Sequence, residues 1–157
     1  MSEVIKVMFV CHGNICRSPM AEFIFKDAAF RLGVENRFLA SSSATSNEEI
    51  WGGVGNPIYP PAKRELERRG IAFSEHRATQ LKKSDYLLYD YFLVMDDNNY
   101  SNALRIFGGD SQNKVYKLLS FAGENRNVSD PWYSGDFVTC FNDIERGVKC
   151  FLQHLVK

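Results

Sequence analysis

The chain of 157 residues is 45% hydrophobic and 24% charged, which predicts one globular domain over residues 1–157 with a sizeable core. Its 19 basic and 19 acidic side chains balance, so no bulk charge is expected to recruit nucleic acid or an anionic membrane. No apolar run approaches about 20 residues, which argues against a membrane-spanning helix.

The first predicted strand covers residues 4–10, and a helix is predicted to begin at Ser18 and Pro19. This helix is expected to end near Gly33 and to bury apolar residues at helical spacing, namely Met20, Phe23, Ile24 and Ala28. The strand and the helix are joined by Cys11-His12-Gly13-Asn14-Ile15-Cys16-Arg17. In a doubly wound α/β fold, this junction is where anions bind.

Strands and helices alternate along the rest of the chain. Further strands are predicted over residues 37–42, 91–95 and 115–119, and helices over residues 63–69, 83–89, 98–107 and 135–156. Residues 47–61 are rich in Gly and Pro and are predicted to form a loop. The last helix carries an apolar stripe made of Phe137, Phe141, Ile144, Val148, Phe151, Leu152 and Leu155. This alternation predicts an α/β fold with a doubly wound, four-stranded parallel sheet and helices on both faces.

Cys11 is the candidate nucleophile. A thiol attacks as the thiolate, which is favoured here by the helix beginning at Ser18 and by the guanidinium of Arg17. Gly13 and Asn14 suit the positive φ angles of a tight loop whose amide groups turn inward around an anion. Arg17 adds a fork that fits two phosphate oxygens. The Ser18 hydroxyl either caps the helix or hydrogen-bonds the Cys11 sulfur, and the sequence does not choose between these.

Other interpretations of the cysteines are weaker. A cysteine at the end of a buried strand is ordinarily a small core residue, but this one stands in Cys-x-Gly-Asn-x-Cys-Arg-Ser-Pro between a strand and a helix. A metal site at Cys11, His12 and Cys16 is not expected, because no second ligand pair with suitable spacing follows. A Walker loop is excluded because the segment lacks Gly-Lys-Ser/Thr.

Over nearly its whole length, the chain resembles the low-molecular-weight protein tyrosine phosphatase family. The resemblance rests on residues 11–19 and on five later motifs: Ser42-Ser43-Ala44-Thr45-Ser46, Gly55-Asn56-Pro57, His76, Met95-Asp96 and Asp130-Pro131-Trp132-Tyr133. It implies a flavodoxin-like fold. It also implies a metal-independent hydrolase, without a cofactor, that acts on phosphotyrosine and aryl phosphates through a cysteinyl-phosphate intermediate.

The resemblance implies three catalytic roles. Cys11 is the implied nucleophile, and Arg17 the group that clamps the phosphate in the transition state. Asp130 is implied to protonate the leaving phenol and then to activate water, which suits a loop residue followed by a proline. The implied phosphate-binding loop includes His12, Gly13, Asn14, Ile15, Cys16 and Ser18.

Supporting residues follow from the same resemblance. Asn14, Ser42 and His76 are implied to form a buried network that fixes the loop conformation, and Asp96 is implied to orient Arg17. Aromatic walls deep enough for phenyl phosphate favour phosphotyrosine over the shorter phosphoserine. The implied wall residues are Trp51, Trp132 and Tyr133.

Cys16 is implied to protect the Cys11 thiolate from over-oxidation by forming a reversible disulfide with it. We predict that a dithiol restores the protein after peroxide inactivation, and that Cys16→Ser is inactivated irreversibly. Equal recovery of both proteins would remove this redox role. Simple packing of Cys16 is the alternative.

Three other functions compete. Thioredoxin-coupled arsenate reductases share the fold and the Cys-x5-Arg-Ser loop, but they need two further cysteines in mid-chain, and residues 75–97 contain none. Arginine-phosphate phosphatases of the same family carry threonine where Ile15 stands, and an apolar Ile15 favours an aryl substrate. A phosphotyrosine-binding module without catalysis is disfavoured because Cys11, Arg17 and Asp130 are all present.

The expected partners are a phosphotyrosine protein or an aryl phosphate as substrate and inorganic phosphate as product, with no nucleic acid and no membrane. The four cysteines include a required free thiol, and the N-terminus lacks a basic-then-apolar leader. Both features predict a cytoplasmic protein.

Overall fold

The computed structural model describes residues 3–157. Its elements are β1 (Ile5–Cys11), α1 (Arg17–Arg31), β2 (Phe38–Ala44), β3 (Ile50–Trp51), β4 (Val54–Gly55), α2 (Pro60–Arg68), β5 (Tyr91–Val94), α3 (Asp97–Phe107), β6 (Val115–Lys117), α4 (Pro131–Ser134) and α5 (Phe137–Val156). Short 3₁₀ helices occupy Glu35–Arg37, Lys83–Leu87 and Leu118–Ala122. Within residues 3–157, no helix has both the length and the apolar character needed to cross a bilayer.

Four strands form a parallel sheet in the order β2-β1-β5-β6, which confirms the predicted sheet. β1 is an inner strand, with Phe9 opposite Ser42 on one side and opposite Leu93 on the other. The chain passes from β1 to the outer strand β2 and returns on the other side of β1 as β5. The carboxyl ends of β1 and β5 therefore border the crevice in which open α/β sheets bind ligands.

The two faces of the sheet bury separate cores. Val7 and Phe9 point to one face and pack in a cluster with apolar residues of α1 and α5. Met8 and Val10 point to the other face and pack with residues of α3. This alternation explains why β1 is apolar at every position from Val7 to Cys11. The doubly wound, flavodoxin-like arrangement with helices on both faces is confirmed.

The predicted end of the chain needs one correction. The last helix does not begin at residue 135, because Gly135 has a φ of 73° and ends the short helix α4. Asp136 then caps α5 by accepting a hydrogen bond from the Thr139 amide. The separate helix α4 matters because Asp130 is its N-cap residue.

Other boundaries also differ by a few residues. α2 begins at Pro60 instead of residue 63, because proline is well suited to the first helical turn. β2 extends to Ala44, since its pairing with β1 continues as far as Cys11. β6 ends at Lys117, where a 3₁₀ helix starts.

Residues 47–61, predicted as a loop, contain a β-hairpin. β3 and β4 pair antiparallel around Gly52 and Gly53, whose φ angles of 58° and 80° suit a tight hairpin turn. Ile50 packs against the cluster that contains Ile15. Because successive side chains of a strand point to opposite sides, the next residue, Trp51, faces away from that cluster.

Candidate active site

The loop between β1 and α1 turns its carbonyl groups outward. Four of them accept hydrogen bonds from other segments: Cys11 from the Thr45 amide, His12 from the Ser46 amide, Asn14 from the His76 ring and Ile15 from the Tyr59 amide. Across a trans peptide, the C=O of one residue and the N–H of the next point in opposite directions. The amides that follow these carbonyls therefore face the centre of the loop. Inward amides beside a helix N-terminus form an anion-binding cradle.

The Cys11 sulfur lies at the bottom of this cradle. Its Sγ is 3.0 Å from the Ser18 Oγ, and it accepts a hydrogen bond of 3.3 Å from the Asn14 amide. A thiolate has no proton, so the Ser18 hydroxyl must be the donor whenever Cys11 is ionised. The structure thus decides between the two roles left open for Ser18 in favour of the sulfur contact. α1 begins at Arg17 after Cys16, without a side-chain cap.

Asn14 joins the loop to the segments around it. Its Nδ2 donates to Ser18 Oγ at 2.7 Å, and its Oδ1 accepts from the Thr79 amide at 2.9 Å. His76 Nε2 donates to the Asn14 carbonyl at 3.0 Å. Asn14 is fully buried with a φ of 61°, a left-handed conformation that asparagine tolerates well.

The expectation of a positive φ is correct for Asn14 and wrong for Gly13, which is not among the residues with positive φ. The space beside Gly13 is narrow. A Cβ added at Gly13 would lie 3.2 Å from the Glu49 Cγ, which packs over the loop at this point.

Ser42 does not contact the loop. Its hydroxyl donates to Glu22 Oε1 at 2.6 Å, toward helix α1. The next residue, Ser43, lies closer to the loop through its carbonyl, which is 3.5 Å from Ser18 Oγ. Adjacent strand residues face opposite sides of the sheet, which separates the Ser42 side chain from Asn14 and Ser18. The implied network therefore contains Asn14 and His76 but no direct bond to Ser42.

Arg17 is 3% exposed and is held from two sides. Its Nη1 donates to Asp96 Oδ2 at 2.9 Å and to the Val128 carbonyl at 3.1 Å. Burial alone would lower the pKa of Arg17, but the charges of Cys11, Asp130 and Asp96 hold it above its ordinary value. The guanidinium therefore stays charged. The contact with Asp96 agrees with its implied orienting role.

Asp130 lies next to the other guanidinium nitrogen. Arg17 Nη2 is 3.4 Å from Asp130 Oδ2, while Asp130 Oδ1 accepts from the Trp132 amide at 3.0 Å and so caps α4. The Asp130 side chain is 31% exposed, in contrast to Arg17. The carboxyl group is accessible to solvent and fixed at the same time.

A cavity of about 180 Å³ opens above these groups. Its walls include Trp132 and Tyr133, as expected, but Trp51 is absent from them and is 73% exposed. The hairpin geometry described above explains why Trp51 points away. Trp132 is supported by Tyr59, whose ring centroid lies 4.9 Å from its own.

Glu48 and Glu49 also line the cavity, and sequence reasoning did not identify them. Glu48 Oε2 lies 3.0 Å from His12 Nε2, and Asn56 Nδ2 donates to Glu49 Oε1 at 2.9 Å. Asn56 belongs to the Gly-Asn-Pro motif, which was the available signal for this contact. The lining of the cavity therefore includes two carboxylates as well as two aromatic rings.

Cys16 is also buried within the loop. Burial, with a smaller contribution from the nearby charges of Cys11 and Asp130, raises the pKa of the Cys16 thiol far above its ordinary value. Cys16 is therefore a protonated thiol near neutrality and does not compete with Cys11 as a nucleophile. Its response to peroxide stays a prediction.

No group of three or more His, Cys, Asp or Glu side chains with the geometry of a metal site occurs within the described residues. The fold and the loop after β1 place the chain among α/β proteins that bind a phosphate-like anion at the carboxyl end of the first strand. A family model described as low molecular weight phosphotyrosine protein phosphatase matches residues 6–157. The chain belongs to this family.

Named relatives and a solved structure agree with this family assignment. The low molecular weight protein-tyrosine-phosphatase YfkJ of Bacillus subtilis is 34% identical over 156 residues, covering 98% of this chain and 97% of the relative. The crystal structure of YfkJ superposes with a TM-score of 0.92 at 32% identity, covering 99% of this chain and 96% of that one. The low molecular weight phosphotyrosine protein phosphatase of Schizosaccharomyces pombe is 37% identical, with 90% of each chain covered.

Proposed function

We propose that the protein removes phosphate from phosphotyrosine in proteins, and from small aryl phosphates, through a cysteinyl-phosphate intermediate. One observation carries the proposal: the Cys11 sulfur lies beneath a ring of inward-facing amides, with Arg17 and Asp130 bordering the same cavity. Membership of the family and the names of the relatives support phosphatase chemistry.

In the first step, the Cys11 thiolate attacks phosphorus and the bond to the aryl oxygen breaks. Loop amides and the Arg17 fork stabilise the charge on the three equatorial oxygens. Asp130, protonated at this stage, transfers its proton to the departing oxygen, so that a phenol leaves and not a phenolate. The 3.4 Å contact between Arg17 Nη2 and Asp130 Oδ2 keeps the clamp and the acid next to each other, so that both can act on one phosphoryl group.

In the second step, the Asp130 carboxylate takes a proton from water. The water oxygen attacks phosphorus, and the bond to the Cys11 sulfur breaks. Ser18, 3.0 Å from that sulfur, donates a hydrogen bond to the thiolate as it leaves. Inorganic phosphate is the product, and the chain's own residues suffice for the cycle without a metal or cofactor.

The walls of the cavity support an aryl substrate. Trp132 and Tyr133 contribute two aromatic rings to the lining, and Ile15 contributes an apolar side chain. A phenyl ring offers both faces to such contacts. The need for a free thiol at Cys11 supports a reducing compartment, and we propose a cytoplasmic location for that reason.

The Asp130→Ala variant tests the acid role. With phenyl phosphate, whose leaving group needs a proton, kcat/KM should fall by ~10²–10⁴-fold. With 2,4-dinitrophenyl phosphate, whose leaving group is far more acidic, the loss should be much smaller. Steady-state kinetics on a series of aryl phosphates measures this difference.

Asp136→Ala is the matched control, because Asp136 caps α5 much as Asp130 caps α4. It should lower stability slightly and leave the dependence on the leaving group unchanged. An equal loss of activity on every substrate in Asp130→Ala would contradict the proposed acid role.

A further inference from the structure

Helix α5 carries a buried carboxylate that the proposed reaction does not use. Asp143 is 4% exposed and lies on the side of α5 that faces the segment before Asp130. Arg126 holds it with two parallel hydrogen bonds, from Nη2 to Oδ1 at 2.7 Å and from Nη1 to Oδ2 at 3.1 Å. Such a bidentate pair fixes orientation as well as charge.

The pair belongs to a closed group of four charges. Arg126 Nε also donates to Glu124 at 2.8 Å, and Arg146 donates to both Glu124 and Asp143. Burial alone would raise the pKa of Asp143, but the hydrogen bonds from Arg126 hold it below its ordinary value. Asp143 therefore remains a carboxylate near neutrality, and the fork stays closed.

This group is connected to Asp130 through the backbone. Asp143 Oδ2 lies 3.5 Å from the Ser129 amide, directly before Asp130 in the chain. The preceding residue, Val128, is fixed at both ends, because its amide donates to Met95 at 2.8 Å and its carbonyl accepts from Arg17 at 3.1 Å. The backbone entering Asp130 is thus held by Met95 at the end of β5, by Arg17 and by Asp143.

The position of this backbone matters for the acid. A general acid must lie within hydrogen-bond reach of the oxygen it protonates, and a displacement of about 1 Å is costly. Met95 and Arg17 both bind Val128, whereas Asp143 contacts Arg126 and the Ser129 amide. Loss of the Asp143 carboxylate should therefore disturb the backbone before Asp130 without changing the contacts of Arg17 or of the loop after β1.

We propose that Asp143, acting through Arg126 and the Ser129 amide, is a positioning residue that sets the Asp130 carboxyl group against the leaving oxygen. This role rests on the proposed phosphatase function. Asp143 touches neither the substrate nor the reacting atoms. Its removal should therefore weaken acid catalysis selectively and leave phosphate binding unchanged.

The test is Asp143→Asn in the full-length protein, because the amide Nδ2 would face the Arg126 donors and open the fork. We expect kcat/KM for phenyl phosphate to fall by about tenfold and that for 2,4-dinitrophenyl phosphate by less than about twofold, as for a displaced acid. The inhibition constant of inorganic phosphate should not change. In the Asp130→Ala background, Asp143→Asn should have no further effect on the leaving-group dependence.

Glu65→Gln is the matched control. Glu65 is another buried carboxylate that binds two arginines, Arg68 and Arg69, but it lies on α2 away from the cavity. It should cost stability and leave the leaving-group dependence as in the wild type. Arg126→Gln opens the same fork from its half-exposed side and gives the same readout if Asp143→Asn does not fold.

Equal losses on all aryl phosphates, or a further selective loss when Asp143→Asn is added to Asp130→Ala, would overturn the positioning role. Failure of the proposed function looks different, because the wild type itself would then hydrolyse no aryl phosphate. The tests of the positioning role and of the phosphatase function use the same substrates and can be measured in one experiment.

Discussion

The floor and the rim of the cavity are built in opposite ways. On the floor, Asn14 and Ser18 are fully buried and bonded to each other, to the Cys11 sulfur and to neighbouring segments. On the rim, Tyr133 is 87% exposed and Trp132 55% exposed. The floor is fixed by the backbone around it, whereas the rim consists of side chains that solvent surrounds. Changes on the floor should therefore alter the chemistry, and changes on the rim the binding of the substrate.

Arg17→Lys should have the largest effect among the floor variants that keep Cys11. A lysine keeps the charge but cannot donate in parallel to two phosphate oxygens while also bonding Asp96 and Val128. We expect kcat to fall by ~10²–10³-fold, as for the loss of a transition-state donor. Turnover of 4-nitrophenyl phosphate measures this. A fall in kcat smaller than a few-fold would mean that the fork geometry is unimportant.

Asn14→Gly tests the support of the loop. Glycine accepts the φ of 61°, so the change removes the side-chain bonds to Ser18 and Thr79 without adding backbone strain. Loss of these buried bonds should lower the free energy of unfolding by about 1–3 kcal/mol. We expect kcat/KM to fall as well, because the Ser18 hydroxyl and the loop amides lose a fixed partner.

Asn113→Gly is the control for this change, since Asn113 also has a positive φ, of 52°, but does not line the cavity. It should leave kcat/KM unaltered. Equal activity of Asn14→Gly and Asn113→Gly would show that the Asn14 side chain does not hold the loop.

Trp132→Ala and Trp51→Ala give the smallest effects and separate the two tryptophans. Trp132 lines the cavity, and losing an aromatic contact of about 0.5–1.5 kcal/mol should raise KM for a phosphotyrosine peptide a few-fold with kcat kept. Trp51 lies outside the cavity lining and should have no effect on either constant for small aryl phosphates. If Trp51→Ala raised KM as much as Trp132→Ala, the assignment of the walls would be wrong.

The sequence could predict those features of the site that depend on local patterns, but not those that depend on contacts between distant segments. The loop after β1 and the sheet depend on a local motif and on regular alternation, and both are visible in one chain. The sequence left the role of Ser18 open, and the contact of Asp96 with Arg17 was expected only from the family resemblance. Trp51 was wrongly placed because its direction depends on the pairing of β3 with β4 and on the packing of Ile50, which no local pattern reveals. Ser42 was expected in the network around Asn14, but its hydroxyl donates to Glu22, and the contact of β2 with Ser18 is made by the Ser43 carbonyl.

Long-range charge pairs could not be predicted from the sequence either. The motif with Asp130 is recognisable, but the contact of Asp143 with Arg126 joins two elements through a salt bridge that has no sequence signature. The helix α4 was missed for a simpler reason. Its glycine end at Gly135 lies directly before the cap of α5, so the two helices look like one helix preceded by a turn.

The most direct measurement is to mix the wild type with an aryl phosphate, quench within the turnover time and locate the phosphoryl group by mass spectrometry. The account predicts one phosphoryl group on the sulfur of Cys11, formed without added metal and absent from Cys11→Ser, which should still bind inorganic phosphate. Phosphoryl transfer to His12, or continued turnover by Cys11→Ser, would contradict it.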